Sequence, residues 1–217
     1  TMSKRPSTKE FQTLTQEVKR IFGDESGVQL DDTDILRWAN DAQMEIVSIN
    51  GPLKARSTTT SVAGQKVYTF PSEKIQQIAS LQYDGRLLPN TPFPEAQRII
   101  ISRDPQNVAT GTPELWYEWA GEFSLWPTPE SARPIDLFYS AYPADLTGDP
   151  NQTLSVSDSY YSAVVNYILS KAYEMDEEPQ LSQMAEQRFR DSVQQQGDSE
   201  RQAQDGAYPV IQEVEYE

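Results

Sequence analysis

The sequence predicts an α+β protein: a bundle of about four helices drawn from both chain ends, a small antiparallel β domain inserted between the second and third, and an extended C-terminal tail. Three observations predict it. Apolar residues recur at helical spacing near both ends, the middle of the chain turns β-branched and aromatic between turn signals, and periodicity fades beyond Gly197. The expected divisions are 1–52 for the N-terminal helices, 53–150 for the β domain with one short helix, 151–196 for the C-terminal helices and 197–217 for the tail. A helix with a single apolar stripe must bury it on another helix, so helices on either side of a β region are expected to pack together.

The first helix is expected from Ser7-Thr-Lys-Glu10, which has capping-box spacing, through Phe11, Leu14, Val18, Ile21 and Phe22 to a break at 23–27. Asp31-Asp-Thr-Asp34 supplies an N-cap and first-turn negative charge for the second. Its stripe is Ile35, Trp38, Ala39, Ala42, Ile46 and Ile49, stopped by Asn50-Gly-Pro52.

The β region opens with Arg56-Ser-Thr-Thr-Thr-Ser-Val62, turns at Ala63-Gly64 and continues through Val67, Tyr68 and Phe70 to Pro71. The run 78–83 meets Asp84-Gly85, a strong hairpin signal, and resumes at Arg86-Leu-Leu88. A short helix over 94–103 starts with a proline in its first turn and ends before Asp104-Pro105. Strands over 115–119, 122–126 and 135–142 bring the expected number to about seven, a small sandwich or barrel. Tyr160, Tyr161, Val164, Val165, Ile168, Leu169 and Ala172 then mark a helix opening near Ser157-Asp-Ser-Tyr. Leu181, Met184, Ala185, Phe189 and Val193 mark another over 180–196.

The 217 residues, 37 % hydrophobic and 24 % charged, suffice for a buried core, so disorder is not expected. The absence of Cys and His removes Cys/His metal sites, Ser-His-Asp and Cys-His triads, and disulfides. Apolar runs such as Ile99-Ile100-Ile101 are far too short to span a bilayer, and the basic N-terminus lacks the apolar segment of a signal peptide. A soluble cytoplasmic protein is expected. A net charge of −15 argues against wrapping nucleic acid. Residues 174–217 hold twelve acids against three bases, a net −9, which is most of that excess.

Phosphate-loop, dinucleotide, zincin and hydrolase-elbow motifs are all missing, so no cofactor or metal site is expected. Glu114, Glu118 and Glu122 beside Trp116 and Trp119 are the remaining carboxylates of interest. Glu114 and Glu118 lie roughly 13 Å apart along a strand, too far for a glycosidase pair. Glu118 and Glu122 approach across the Gly121 turn, whereas strict alternation turns Leu115, Tyr117 and Trp119 inward and leaves the glutamates solvated. Asp145, Asp149 and Asn151 fail the EF-hand spacing and read as a solvated turn. The four Trp and eleven Tyr read first as β-domain core, and second as stacking platforms for sugars or bases. In the tail, Tyr208, Pro209, Val210, Ile211, Val214 and Tyr216 are apolar anchors among acids. The segment is either a solvated end or one that folds on a partner.

Several motifs, in this order, carry a resemblance: Ile35-Leu-Arg-Trp-Ala-Asn-Asp-Ala-Gln43, Gly64-x-x-x-Tyr68-x-Phe70-Pro71, Asp84-Gly-Arg-Leu-Leu88, Phe123-Ser-Leu-Trp-Pro127-Thr-Pro129, Tyr142-Pro-Ala-Asp-Leu146, and the helix with Tyr160, Ala163, Val164, Tyr167, Lys171, Ala172 and Tyr173. Over 34–173 the chain resembles the head-to-tail connector, or adaptor, proteins of tailed bacteriophages, including the tail tubular protein A group. The resemblance implies a structural, non-enzymatic virion protein in the neck of the particle, assembled in the host cytoplasm. It implies a twelve-membered ring between the portal and the tail nozzle or tube, through which DNA passes without specific binding. It further implies that the C-terminal segment, with Tyr208, Pro209, Val210, Ile211, Val214 and Tyr216, docks on the portal. The resemblance leaves open whether tail fibres are a further partner. Two competing readings remain: a carbohydrate-binding or fibre-attachment module, which requires Trp116, Trp119 or Trp126 to be exposed, and a hydrolase using Glu118 or Glu122. The adaptor reading expects these rings buried.

Overall fold

The computed structural model describes residues 8–71 and 74–205. In chain order the elements are α1 (Phe11–Phe22), α2 (Asp32–Asn50), β1 (Leu53–Thr60), β2 (Val67–Thr69), β3 (Ile75–Tyr83), β4 (Arg86–Leu88), α3 (Phe93–Arg103), β5 (Thr110–Gly111), β6 (Leu115–Trp119), β7 (Glu122–Trp126), β8 (Thr128–Pro129), β9 (Pro134–Ala141), a 3-10 turn (Asp158–Tyr160), α4 (Tyr161–Met175) and α5 (Pro179–Asp205). The α+β class is borne out. The described chain divides into two compact units, one of residues 52–142 and one of 8–51 with 143–205.

In the helical unit, α4 packs against α1, α2 and α5. Its apolar face of Val164, Val165, Ile168, Leu169 and Ala172 is buried, as the spacing predicts. Asp31 caps α2 as expected, accepting from the Thr33 backbone N–H and hydroxyl, each at 2.7 Å. The first helix differs: Glu10 stands at its N-cap position with no side-chain cap, and Ser7 of the expected capping box lies outside the described residues. The turn between α1 and α2 is closed by Asp24. Its carboxylate accepts from the backbone N–H groups of Val28, Gln29 and Leu30 at 3.0, 2.7 and 2.8 Å and from the Ser26 hydroxyl at 3.0 Å.

Four expected core positions are solvent-facing instead. Ile21, Ile49, Leu181 and Met184 are exposed, while Gln43 and Val47 take the buried places on α2. Gln43 is held inside because its Oε1 accepts from the Ser155 N–H at 2.7 Å. Nearby, the Asn40 carboxamide donates to the Leu146 carbonyl (3.1 Å) and accepts from the Leu146 N–H (2.8 Å). These bonds hold 143–157 against α2, so 143–150, which the sequence assigned to the β region, packs with the helices.

The second unit is layered. A four-stranded antiparallel sheet runs β1-β9-β3-β4 and a three-stranded one β2-β7-β6. Between them lie Tyr68, Leu81, Tyr83, Leu88, Trp116, Phe123, Leu125, Ile135, Leu137 and Tyr139. The other face of the three-stranded sheet is covered by α3, with Ala96 and Ile100 meeting Leu115, Tyr117 and Trp126. A small sandwich or barrel was expected. The helix adds a third layer because β6 is apolar on both faces, and Leu115-Trp-Tyr117 can be buried only if something covers each. A short parallel pair, β5–β8, was not foreseen, its strands being two residues each. The Asp84-Gly85 hairpin forms as predicted, with φ of 49° and 76° at its two central residues, where glycine carries no steric penalty.

Candidate functional site

The carboxylates of interest are dispersed. On β6 and β7, Glu118 stands opposite Phe123 and Glu122 opposite Trp119. Neighbouring strand positions face opposite ways, so Glu118 and Glu122 lie on opposite faces of the hairpin and do not approach across its turn. Glu114 is tied to Arg103 at 3.0 Å. Of these three glutamates, Glu118 lines an open cleft of about 420 Å³ formed with Phe70, Lys74, Ile75 and Gln77. The loop with Asp145, Asp149 and Asn151 is an internally bonded turn: the Asn151 N–H donates to Asp149 Oδ1 (2.9 Å), and Gln152 Oε1 accepts from the Thr147 N–H (2.7 Å). Among the described residues no group of three or more His, Cys, Asp or Glu could hold a metal ion.

The tryptophans separate into two kinds. Trp116 and Trp126 are buried, and their indole N–H groups have no hydrogen-bond partner among the described residues. Trp119, expected inward, is 61 % exposed. It stands one residue before the β6–β7 turn, beyond the buried run Leu115-Trp-Tyr117, and stacks on Phe93 of α3 with centroids 4.3 Å apart and planes at 22°. The exposed Trp119 meets the condition set by the carbohydrate-module reading, whereas Trp116 and Trp126 are buried as the adaptor reading expects.

In the helical unit α5 buries a narrow stripe of Ala185, Phe189 and Val193 and leaves Leu181 and Met184 exposed. It does not stop at Gly197, as the fading periodicity suggested, but runs through it to Asp205. At Gly197 the carboxamide of Asn50 lies where a side chain would start: an added Cβ would come within 2.7 Å of its Cγ. From there Asn50 Nδ2 donates to the Val193 carbonyl (2.9 Å) and the Tyr160 hydroxyl (3.1 Å). Burial, and then the negative charge of Glu200, push the Tyr160 hydroxyl up to about 12, so it stays protonated. The sequence reading missed this joint. Its signal was a glycine on the buried stripe of a helix, a mark of close approach rather than of a helix end.

Charge is segregated between the units. Residues 52–142 carry eight bases and nine acids, a net −1, whereas 4–51 and 143–217 together carry ten bases and 24 acids, a net −14. Tyr208, Pro209, Val210, Ile211, Val214 and Tyr216 lie outside the described residues.

A family model described as SU10 adaptor protein matches residues 9–212. The chain belongs to the SU10 adaptor protein family. This bears out the resemblance to phage adaptors and makes the adaptor a member of a structural virion family. The match spans both units of the adaptor and extends into the tail as far as Gln212, taking in Tyr208, Pro209, Val210 and Ile211 but not Val214 or Tyr216. No curated protein matches the adaptor. Among its described residues no helix is long and apolar enough to cross a membrane.

Proposed function

We propose that the adaptor forms a ring of twelve copies in the virion neck, joining the portal to the tail nozzle or tube, with DNA passing through without specific binding. The observation that carries this reading is the family match over 9–212, nearly the whole chain. Two structural features support it. The helix α5, 27 residues long, carries the chain towards the tail, which on this reading docks on the portal through Tyr208, Pro209, Val210, Ile211, Val214 and Tyr216. The helical unit, at net −13 over 8–51 and 143–205, would present a surface that repels phosphate if it faces the channel. The role is structural, and no residue is assigned to catalysis.

Electron microscopy of the adaptor mixed with the portal protein of the same phage tests this. The full chain is compared with a truncation after Asp205, which keeps Gly197 and its contact with Asn50. The expected result is a collar on the portal ring, lost on truncation. A portal ring with no added density from the full chain would overturn the reading.

A further inference from the structure

Phe93 covers one face of the Trp119 indole, and the 61 % exposure of the ring leaves the other face open. Glu122 is its cross-strand neighbour on the same face of the hairpin, which places the two Cβ atoms about 5 Å apart. Glu122 is exposed, and its side chain has neither hydrogen bond nor ion pair among the described residues. An open indole beside an unneutralised carboxylate is a slot for a flat cation: the ring attracts it by its quadrupole and the carboxylate takes its N–H groups. Guanidinium fits this geometry better than ammonium because it is planar and weakly hydrated.

A guanidinium of the same kind lies elsewhere on the same unit. Arg86, at the start of β4, is exposed and likewise unpaired among the described residues, and the next residue, Leu87, is 62 % exposed. Arg86 cannot reach Trp119 within one copy. Asn90 pairs in parallel with Trp116, so Arg86 lies up the chain from that bridge and Trp119 down it. At strand rise the two are roughly 20 Å apart. Two unlike, complementary patches at separate places on one chain are what a side-by-side heterologous contact requires.

We propose that Arg86 of a neighbouring copy lies over the open face of Trp119 and pairs with Glu122, making this a contact between adjacent copies. The inference rests on the ring reading above. Sedimentation of the full chain tests it with charge reversals at exposed positions: R86E and E122R should each weaken self-association by about 30-fold, the scale of an interface hot spot, and the double variant should regain most of it. A covalent readout is available because the chain has no cysteine. In portal-bound collars, R86C/E122C should give a ladder of disulfide-linked multimers, and each single variant none. Reversals without effect, or a collar without a ladder, would overturn this contact and leave the ring standing. A chain that neither self-associates nor forms a collar would overturn both.

Discussion

Replacing Gly197 with alanine should change sign according to what stands at position 50. In an ordinary helix interior, Gly→Ala stabilises by about 1 kcal/mol. Here the new Cβ would sit 2.7 Å from Asn50 Cγ and 2.9 Å from Nδ2, well inside contact distance, so the carboxamide must swing away. It then gives up its bonds to the Val193 carbonyl and the Tyr160 hydroxyl, each contributing about 0.5–1.5 kcal/mol, for a loss of roughly 1–3 kcal/mol. The net expectation for Gly197→Ala is destabilisation by roughly 1 kcal/mol. Asn50→Ala alone loses the same two bonds and costs roughly 1–3 kcal/mol, but it also clears the space. In that background Gly197→Ala should stabilise by about 1 kcal/mol, so the cycle yields a coupling of roughly 2 kcal/mol. Urea unfolding of the four proteins, followed by helical circular dichroism, measures it. If Gly197→Ala stabilised the wild-type chain, the close approach would not constrain α5 and the argument would fail.

Asp24 should make the helical unit acid-sensitive. Chiefly the Leu30 N–H, with those of Gln29 and Val28, holds its carboxylate at about 2, below its ordinary 3.8. A depressed folded value stabilises above the unfolded one, so this contribution is complete above about pH 4 and is lost as pH falls towards 2. Asp24→Ala should lower Tm at pH 7 and flatten its decline across that window. The two kinds of tryptophan should separate in urea: Trp116→Ala, at a position 1 % exposed, should cost about 3–5 kcal/mol, and Trp119→Ala under about 1 kcal/mol. Acrylamide quenching should act almost wholly on Trp119, since Trp38, Trp116 and Trp126 are buried, and Trp119→Phe should remove the quenchable fraction. Asn40→Ala should cost roughly 1–3 kcal/mol and raise hydrogen exchange at Leu146, whose N–H it would leave without its acceptor.

Local rules made most elements legible. The Asp31 cap, the Asp84-Gly85 turn and the stripe of α4 all act within a few residues, and the structure follows them. Failures occurred where a neighbour distant in sequence decides. Trp119 obeys strand alternation but lies past the edge of the layer that would bury it. Gln43 is polar yet internal because Ser155, far along the chain, supplies a donor. Gly197 reads as a breaker until Asn50 is seen beside it. Leu181 and Met184 fit a helical period, but the buried stripe of α5 is only wide enough for Ala185, Phe189 and Val193. The functional surface was the least legible part, because a contact between chains needs no residue that is chemically unusual on one of them.

The uneven charge has a thermodynamic consequence for assembly. With net −14 on one unit and −1 on the other, bringing copies side by side crowds anions whose mutual repulsion only mobile cations can relieve. Closure of the proposed ring would take up counterions, so its equilibrium constant should rise with added salt, opposite in sign to the salt dependence of a DNA-binding protein. Ionic strength would then act as a co-assembly factor, favouring closed rings in a concentrated cell interior and dispersed subunits in dilute buffer.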